Sequence, residues 1–285
     1  MIQSMTGFGQ ASATHEGQRI SVEIRSLNSR GLDLNLRMPH RYRERDLTWR
    51  KMIGDAVVRG KVDVSINREQ AEGRSNVLHE AHLRQTMQDL QHIAGGSLTP
   101  AEALSMALRV PTEQGPAAEL DPAEAKAVEA LIRSALEAFQ TFRSHEGSAL
   151  ARDLEANLAT IELGLPVIEA AEPERLEHLK GRLTKAAVKA ADDQPMDPQR
   201  WEQELLFYVE KIDINEEKVR LKAHIKHFHE ALSAGEGRKL GFLAQELGRE
   251  INTLGNKAHH VGMQRQVVQM KEDLEKIKEQ VLNVL

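Results

Sequence analysis

The hydrophobic period of this chain changes part-way along, and that change limits its fold more than any other feature. Ile20, Val22 and Ile24, then Leu32, Leu34 and Leu36, then Val62, Val64 and Ile66 recur at every second residue, the pattern of half-buried strands. A helix is expected between the last two runs, from about Glu44 to Val58, with Arg59-Gly60 ending it on a glycine suited to a left-handed stop. From about residue 79 the spacing is almost wholly helical, beginning with a helix near 79–94. The predicted order is strand, strand, strand, helix, strand, helix, followed by helices alone. This is an α+β chain: a small N-terminal α+β domain over 1–75, a long helical arm over 76–195 and a C-terminal helical domain over 196–285. Within the arm, Pro111–Pro122 reads as a loop and 123–190 as long helices with a step near Gly164-Leu165-Pro166. Asp192–Pro198, with two prolines and three acids, reads as a linker or turn.

Composition removes several function classes. Cysteine is absent, so there is no disulfide framework and no thiolate ligand or nucleophile. No apolar run approaches the roughly 18 residues of a membrane helix, and no basic flank leads into an apolar core at the start, so the expected location is the cytoplasm and no membrane partner is expected. Charge is uneven. Residues 1–68 hold twelve Lys and Arg against seven Asp and Glu, while the remainder holds 26 against 36. A basic first quarter on an acidic body fits either a local anionic partner such as nucleic acid or an ordinary solvated surface.

The C-terminal segments carry acids beside their apolar stripes. Trp201, Leu205, Tyr208, Val209 and Ile212 form the first stripe, with Glu204 at its edge. Asp213 and Glu216 fit a capping box opening the next helix. In that helix Ile214, Leu221, Ile225, Phe228 and Leu232 face inward. Glu217 and His224, seven apart, lie within about 20° of each other around the axis and inside the same stripe. The third stripe (Leu240, Leu243, Leu247, Ile251, Leu254) runs beside Glu246 and Glu250, which share a face. Buried polar groups need partners. Either Glu204, Glu217, His224, Glu246 and Glu250 converge between packed helices, or they make helix-edge salt bridges with Arg220, Arg238, Arg249 and Lys257. Convergence would give an oxygen-rich site with one imidazole, suited to Mn²⁺ or Mg²⁺, able to activate water and stabilise charge on a phosphoryl oxygen.

Met263, Val267, Met270, Leu274, Ile277, Val281 and Val284 are spaced 4-3-4-3-4-3, a heptad seam that can pack within the chain or against another copy. Arg25, Asn28, Arg30 and Arg37 cluster around the turn Ser26–Gly31, and Arg59 and Lys61 flank the next strand. If the first two alternating runs pair as a hairpin, several of these reach one edge and make phosphate contacts that position a polynucleotide without reading it. Nearby aromatics are few (Phe8, Tyr42, Trp49). His259 and His260 are adjacent and point apart. Gly7-Phe8-Gly9 is too short for a phosphate loop, and the opening Ser4-Met5-Thr6-Gly7-Phe8-Gly9 is demanded by no element of this fold.

These residues resemble the YicC-like family of bacterial stress-linked endoribonucleases. The resemblance is carried by Met1–Gly9, Glu23–Arg30, Arg59–Val62, Glu202–Leu205, Asp213–Glu217, Arg220 with His224, Gly237–Lys239, Phe242, Gln245-Glu246, Arg249-Glu250, Asn252-Thr253, Lys257 and Glu279–Asn283. It implies a metal-dependent endoribonuclease, Mn²⁺-assisted, acting on structured or small RNA, and a homohexamer that encloses RNA. By the same resemblance the C-terminal acids and His224 become metal or catalytic candidates. Arg25, Asn28, Arg30, Arg59, Lys61, Arg238, Lys239, Arg249 and Lys257 become RNA contacts. Two positions depart from the family pattern: Gly241 stands where an Asp is usual and Gly248 where an Asn is usual. If that Asp holds the metal, this chain cuts slowly or only binds RNA. The competing expectations are a non-catalytic RNA-binding ring that presents RNA to another nuclease, and a coiled-coil scaffold without nucleic acid.

Overall fold

The structure, a computed structural model, describes residues 2–70, 80–95, 97–109, 120–190 and 198–285. The linker expected at Asp192–Pro198 lies outside them but for Pro198, and so does most of the loop expected at Pro111–Pro122. The α+β reading holds. The elements run β1 (Gly7–His15), β2 (Gln18–Leu27), β3 (Leu32–Arg37), a 3-10 turn (His40–Arg45), α1 (Asp46–Val57), β4 (Gly60–Gln70), α2 (Glu80–Ile93), α3 (Pro100–Ala107), α4 (Pro122–Ala190), α5 (Pro198–Ile212), α6 (Asn215–Ala234), α7 (Gly237–Lys257) and α8 (Val261–Val281). They form two compact units. A sheet unit comprises Phe8–Arg25 and Leu32–Phe139, and a helical unit comprises Met1–Gly7, Ser26–Gly31 and Gln140–Leu285.

The sheet is ordered β1-β2-β4-β3. Glu16 (φ 47°) and Gly17 (φ 74°) both take positive φ, as the two-residue turn joining β1 to β2 requires. β3 and β4 pair in parallel, Leu32 opposite Gly60 and Arg37 opposite Ser65, so α1 is the crossover of a βαβ unit. The hairpin considered for the first two alternating runs is therefore not made, because β4 lies between β2 and β3. Ile20, Val22, Ile24, Val62, Val64 and Ile66 are all buried, packed with Trp49, Ile53 and Phe139. Tyr42 lies 5.6 Å from the Trp49 ring and donates its hydroxyl to Glu124 Oε1 at 2.6 Å. Arg41 and Arg68 neutralise the same buried carboxylate at 2.7 and 3.1 Å, which a lone buried charge requires. Burial and Glu124 together push the Tyr42 phenol well above its usual range.

The glycine stop expected after α1 is displaced by two residues. Val58, not glycine, carries the turn, at φ 65° and ψ −51°, with Val57 C=O accepting Arg59 N–H at 2.7 Å. This is the strained three-residue turn, and Val58 is 71% exposed, so little packing compensates. Val58→Gly is expected to raise the melting temperature by a few degrees, since relief of about 1–3 kcal/mol of strain exceeds the roughly 1 kcal/mol of added chain entropy. A scanning-calorimetry trace with an unchanged or lower transition removes this reading of the turn.

In the helical unit, the second part of α4 packs Leu154, Leu158, Ile161, Leu165 and Ile168 against α6, α7 and α8 residues. The step expected at Gly164-Leu165-Pro166 is absent. α4 runs on through Pro166 and Pro173, because Leu165 and Ile168 are buried on either side of the first proline and Gly164 lets Met270 and Gln266 of α8 come close. The heptad seam is internal: Met263, Val267, Met270, Leu274, Ile277, Val281 and Val284 all lie in this core. Its alternative use between copies is thereby removed.

The opening segment has a structural use after all. Ser4 bridges to Val284, Met5 N–H donates to Asn283 O at 2.8 Å and Leu285 N–H to Gln3 O at 2.9 Å. Buried Arg143 donates to Ser4 O at 2.6 Å. The start of the chain is thus clasped to its end and to α4 within one unit. Gly9, in the sheet unit, admits no side chain, since a Cβ there meets Ala135 O at 2.1 Å.

Candidate active site

α6 and α7 pack as an antiparallel pair that fixes the acids singled out from sequence. Glu217 opens α6 and is buried, 5% exposed. Lys257, at the end of α7, donates to Glu217 Oε1 at 2.7 Å and to Asp213 O at 2.9 Å. The other oxygen, Glu217 Oε2, is buried without a hydrogen-bond partner, and so is Nδ1 of His224 one heptad along. Moving seven residues along each helix from the Glu217–Lys257 pair puts Glu250 level with His224. Glu250 is 3% exposed, and its nearest counter-charge is the half-exposed Arg220, 3.9 Å away.

The other acids stand apart. Glu246 is partly exposed, 3.8 Å from Arg249, and Glu204 is exposed on α5. The capping box expected of Asp213 and Glu216 does not form. α6 begins after Ile214, Asp213 Oδ1 accepts instead from Asn215 N–H at 3.2 Å, and Glu216 pairs with Arg220. The cause is burial of Ile214, fully inside the core, which shifts the helix start one residue past the acid.

Both readings of the acids therefore describe part of the site. Glu217, Glu246 and Glu250 do face cations, yet Glu217 Oε2 and His224 Nδ1 remain as two buried atoms without protein partners, a state costing about 1–3 kcal/mol each. Among the described residues, the one group of three or more His, Asp or Glu with ligand atoms all within 4.8 Å is His15, Glu16 and Asp121, two of them exposed. The five C-terminal candidates do not gather that closely. Their donor types nonetheless suit a divalent cation such as Mn²⁺: one carboxylate oxygen and one imidazole nitrogen are buried without protein partners, and a second carboxylate, Glu250, is buried on the facing helix. Such ions keep several waters and take few protein ligands.

Of the expected RNA contacts, Arg25 pairs with Glu23 and lies 5.5 Å above the Phe8 ring. Asn28 is structural as well, donating to Leu282 O at 2.6 Å. Arg30, Lys61, Arg238, Lys239 and Arg249 are exposed, and Arg59 is half-buried. Arg37 lines a cleft of about 370 Å³ with Arg68. A side chain at 241 meets only ordinary contact with Val281 at 3.7 Å, whereas one at 248 presses on Leu274 at 3.2 Å. The sequence reading missed two supports of the site. Lys218 and Lys222 on α6 pair with Glu172 and Glu169 on α4 at 2.6 and 2.8 Å, a four-residue spacing facing a three-residue one. Arg175, 2% exposed, donates to Ile212 O and Lys257 O, both at 3.0 Å, and its burial draws the guanidinium below its usual pKa.

No helix among the described residues is long and apolar enough to cross a membrane. Residues 2–152 match the description "Endoribonuclease YicC-like, N-terminal region" and residues 168–285 match "Endoribonuclease YicC-like, C-terminal". Two similar relatives, both named "Probable endoribonuclease YicC", come from Haemophilus influenzae (30% identical over 296 residues) and Clostridioides difficile (28% over 297 residues), each covering all of both chains. The chain therefore belongs to the YicC-like endoribonuclease family.

Proposed function

We propose that this protein is a cytoplasmic, metal-dependent endoribonuclease that hydrolyses phosphodiester bonds in structured or small RNA, working as a homo-oligomer, a hexamer by family resemblance. The observation that carries the reading is the pair of buried, partnerless ligand atoms, Glu217 Oε2 and His224 Nδ1, together with buried Glu250 on the facing helix. Glu217, His224 and Glu250 would hold the ion, Mn²⁺ by preference and Mg²⁺ as the alternative. When bound, such an ion lowers the pKa of a water and offsets charge on the phosphoryl oxygens. Lys257 fixes the Glu217 carboxylate through one oxygen and leaves the other free. Arg220, exposed 3.9 Å from Glu250, would hold a non-bridging phosphate oxygen. Glu250, a buried carboxylate whose counter-charge is Arg220, would take the proton of the attacking water. The exposed bases Arg238, Lys239 and Arg249 supply backbone contacts without sequence readout.

The purified protein is expected to cut a hairpin RNA with Mn²⁺ and to stop when EDTA is added. RNA retained without cleavage under any divalent ion favours the presenting-ring alternative. No retention at low salt favours a scaffold.

A further inference from the structure

A cleft in the helical unit has no part in the site described above, although Arg175 and Lys257 reach it. It has a volume of about 990 Å³ and lies between the end of α4, the end of α5 and the α7–α8 junction. Five Lys or Arg and three His line it against one acid, Glu174. The whole chain carries a net charge of −5, so the concentration of positive charge is local. Arg182, Lys185 and Lys211 are exposed and have no ion-pair partner among the described residues. Like charges gathered without counter-ions repel one another and raise the local concentration of an anionic ligand. His178, Arg182 and Lys185 follow at i, i+4 and i+7 on α4, one helix face, making a line about 10 Å long. Tyr208, on the opposite wall, is 38% exposed, with Phe207 edge-on at 5.8 Å. A cationic track facing an exposed aromatic is the composition of a single-strand binding groove, where phosphates follow the charges and a base stacks on the ring. Lys257, whose Nζ holds Glu217, is one of the residues that line the cleft.

We infer that this cleft binds a single-stranded stretch of the RNA substrate next to the bond that is cut, with phosphates on Arg182, Lys185 and Lys211 and one base on Tyr208. The inference rests on the nuclease reading for the identity of the polyanion, but its test does not depend on cleavage.

The test is fluorescence anisotropy in EDTA with a dye-labelled, single-stranded 12-nucleotide RNA. Combined Arg182→Ala and Lys185→Ala should weaken binding at least about tenfold. It should also flatten the plot of log affinity against log salt by about 1.4, two phosphates at about 0.7 each. Tyr208→Leu should weaken binding about fivefold or more. The charge-matched control, Lys126→Ala with Arg133→Ala on exposed positions of the sheet unit, should stay within twofold. The proposal is overturned if the α4 pair binds within twofold of wild type, or if the control loses as much. Cleavage of hairpin RNA with Mn²⁺ is scored separately. A wild type that cuts while the α4 pair binds normally sinks the cleft alone. A wild type that binds through the cleft but never cuts sinks the nuclease reading alone, and one that retains no RNA overturns both.

Discussion

Gly147→Ala is expected to lower the melting temperature of the protein by roughly 5–10 °C, although Gly→Ala in a helix ordinarily stabilises by about 1 kcal/mol. Gly147 lies inside α4, where a Cβ would sit 2.3 Å from Ile2 O and 2.9 Å from Gln3 Cα. Those atoms are backbone and cannot rotate away. The opening segment must lift. Doing so strains Ser4 N–H to Arg143 O at 3.1 Å, Met5 N–H to Asn283 O at 2.8 Å and Leu285 N–H to Gln3 O at 2.9 Å, and it exposes Ile2, now 3% accessible. Overpacking of this kind costs about 1–3 kcal/mol and occasionally more, and each kcal/mol moves the transition about 2–4 °C in a chain of this size. Gly181→Ala, on the same helix with nothing within 4 Å of its Cβ, should move the other way. Calorimetry on the two variants separates them. A Gly147→Ala transition at or above wild type would show that the clasp between chain start, chain end and α4 contributes nothing to stability.

That clasp also marks where sequence reasoning ran out. The strands were readable because each has one buried face: Val22, Ile24, Val62, Val64 and Ile66 alternate with exposed or half-exposed neighbours. Their order was not, although strand-helix-strand with α1 in the middle is the βαβ signal, and β4 inserts beside β2 where a local hairpin was considered. A 4-3 seam serves an internal core and a partner copy equally well. The matching stripe of α7, buried at Leu240, Leu243, Leu247 and Ile251, takes up α8 inside the chain. The use of Gly9 depends on an approach to Ala135, 126 residues away, which no local pattern encodes. At the candidate site the shared face of Glu217 and His224 followed from helical spacing alone. The separation of buried Glu250 from partly exposed Glu246 did not, because it depends on which side of α7 meets α6. A lone Arg175 in a long charged helix gave no sign that it would be buried against two carbonyls.

The Glu250→Gln variant is expected to cut hairpin RNA about 10²–10⁴ times more slowly than wild type, the range for removing a group that moves a proton in the transition state, while binding the same RNA in EDTA at least as tightly. Glutamine keeps the shape that fills this buried position, 3% exposed, so packing against α6 is preserved. What is lost is a carboxylate able to accept a proton and to face a cation. Arg220 is 58% exposed and stays hydrated when its distant partner is neutralised, so the fold loses little. Glu246→Gln is the comparison. Its carboxylate is 25% exposed, 3.8 Å from an Arg249 side chain that is itself 74% exposed, a weak surface pair, and cleavage should fall less than about tenfold. Single-turnover cleavage with saturating Mn²⁺ measures the chemical step for both variants. Wild-type cleavage by Glu250→Gln would remove Glu250 from the reaction. Equal losses in the two variants would mean that burial on α7 does not select the reacting carboxylate, and the site would have to be redrawn around Glu217 and His224 alone.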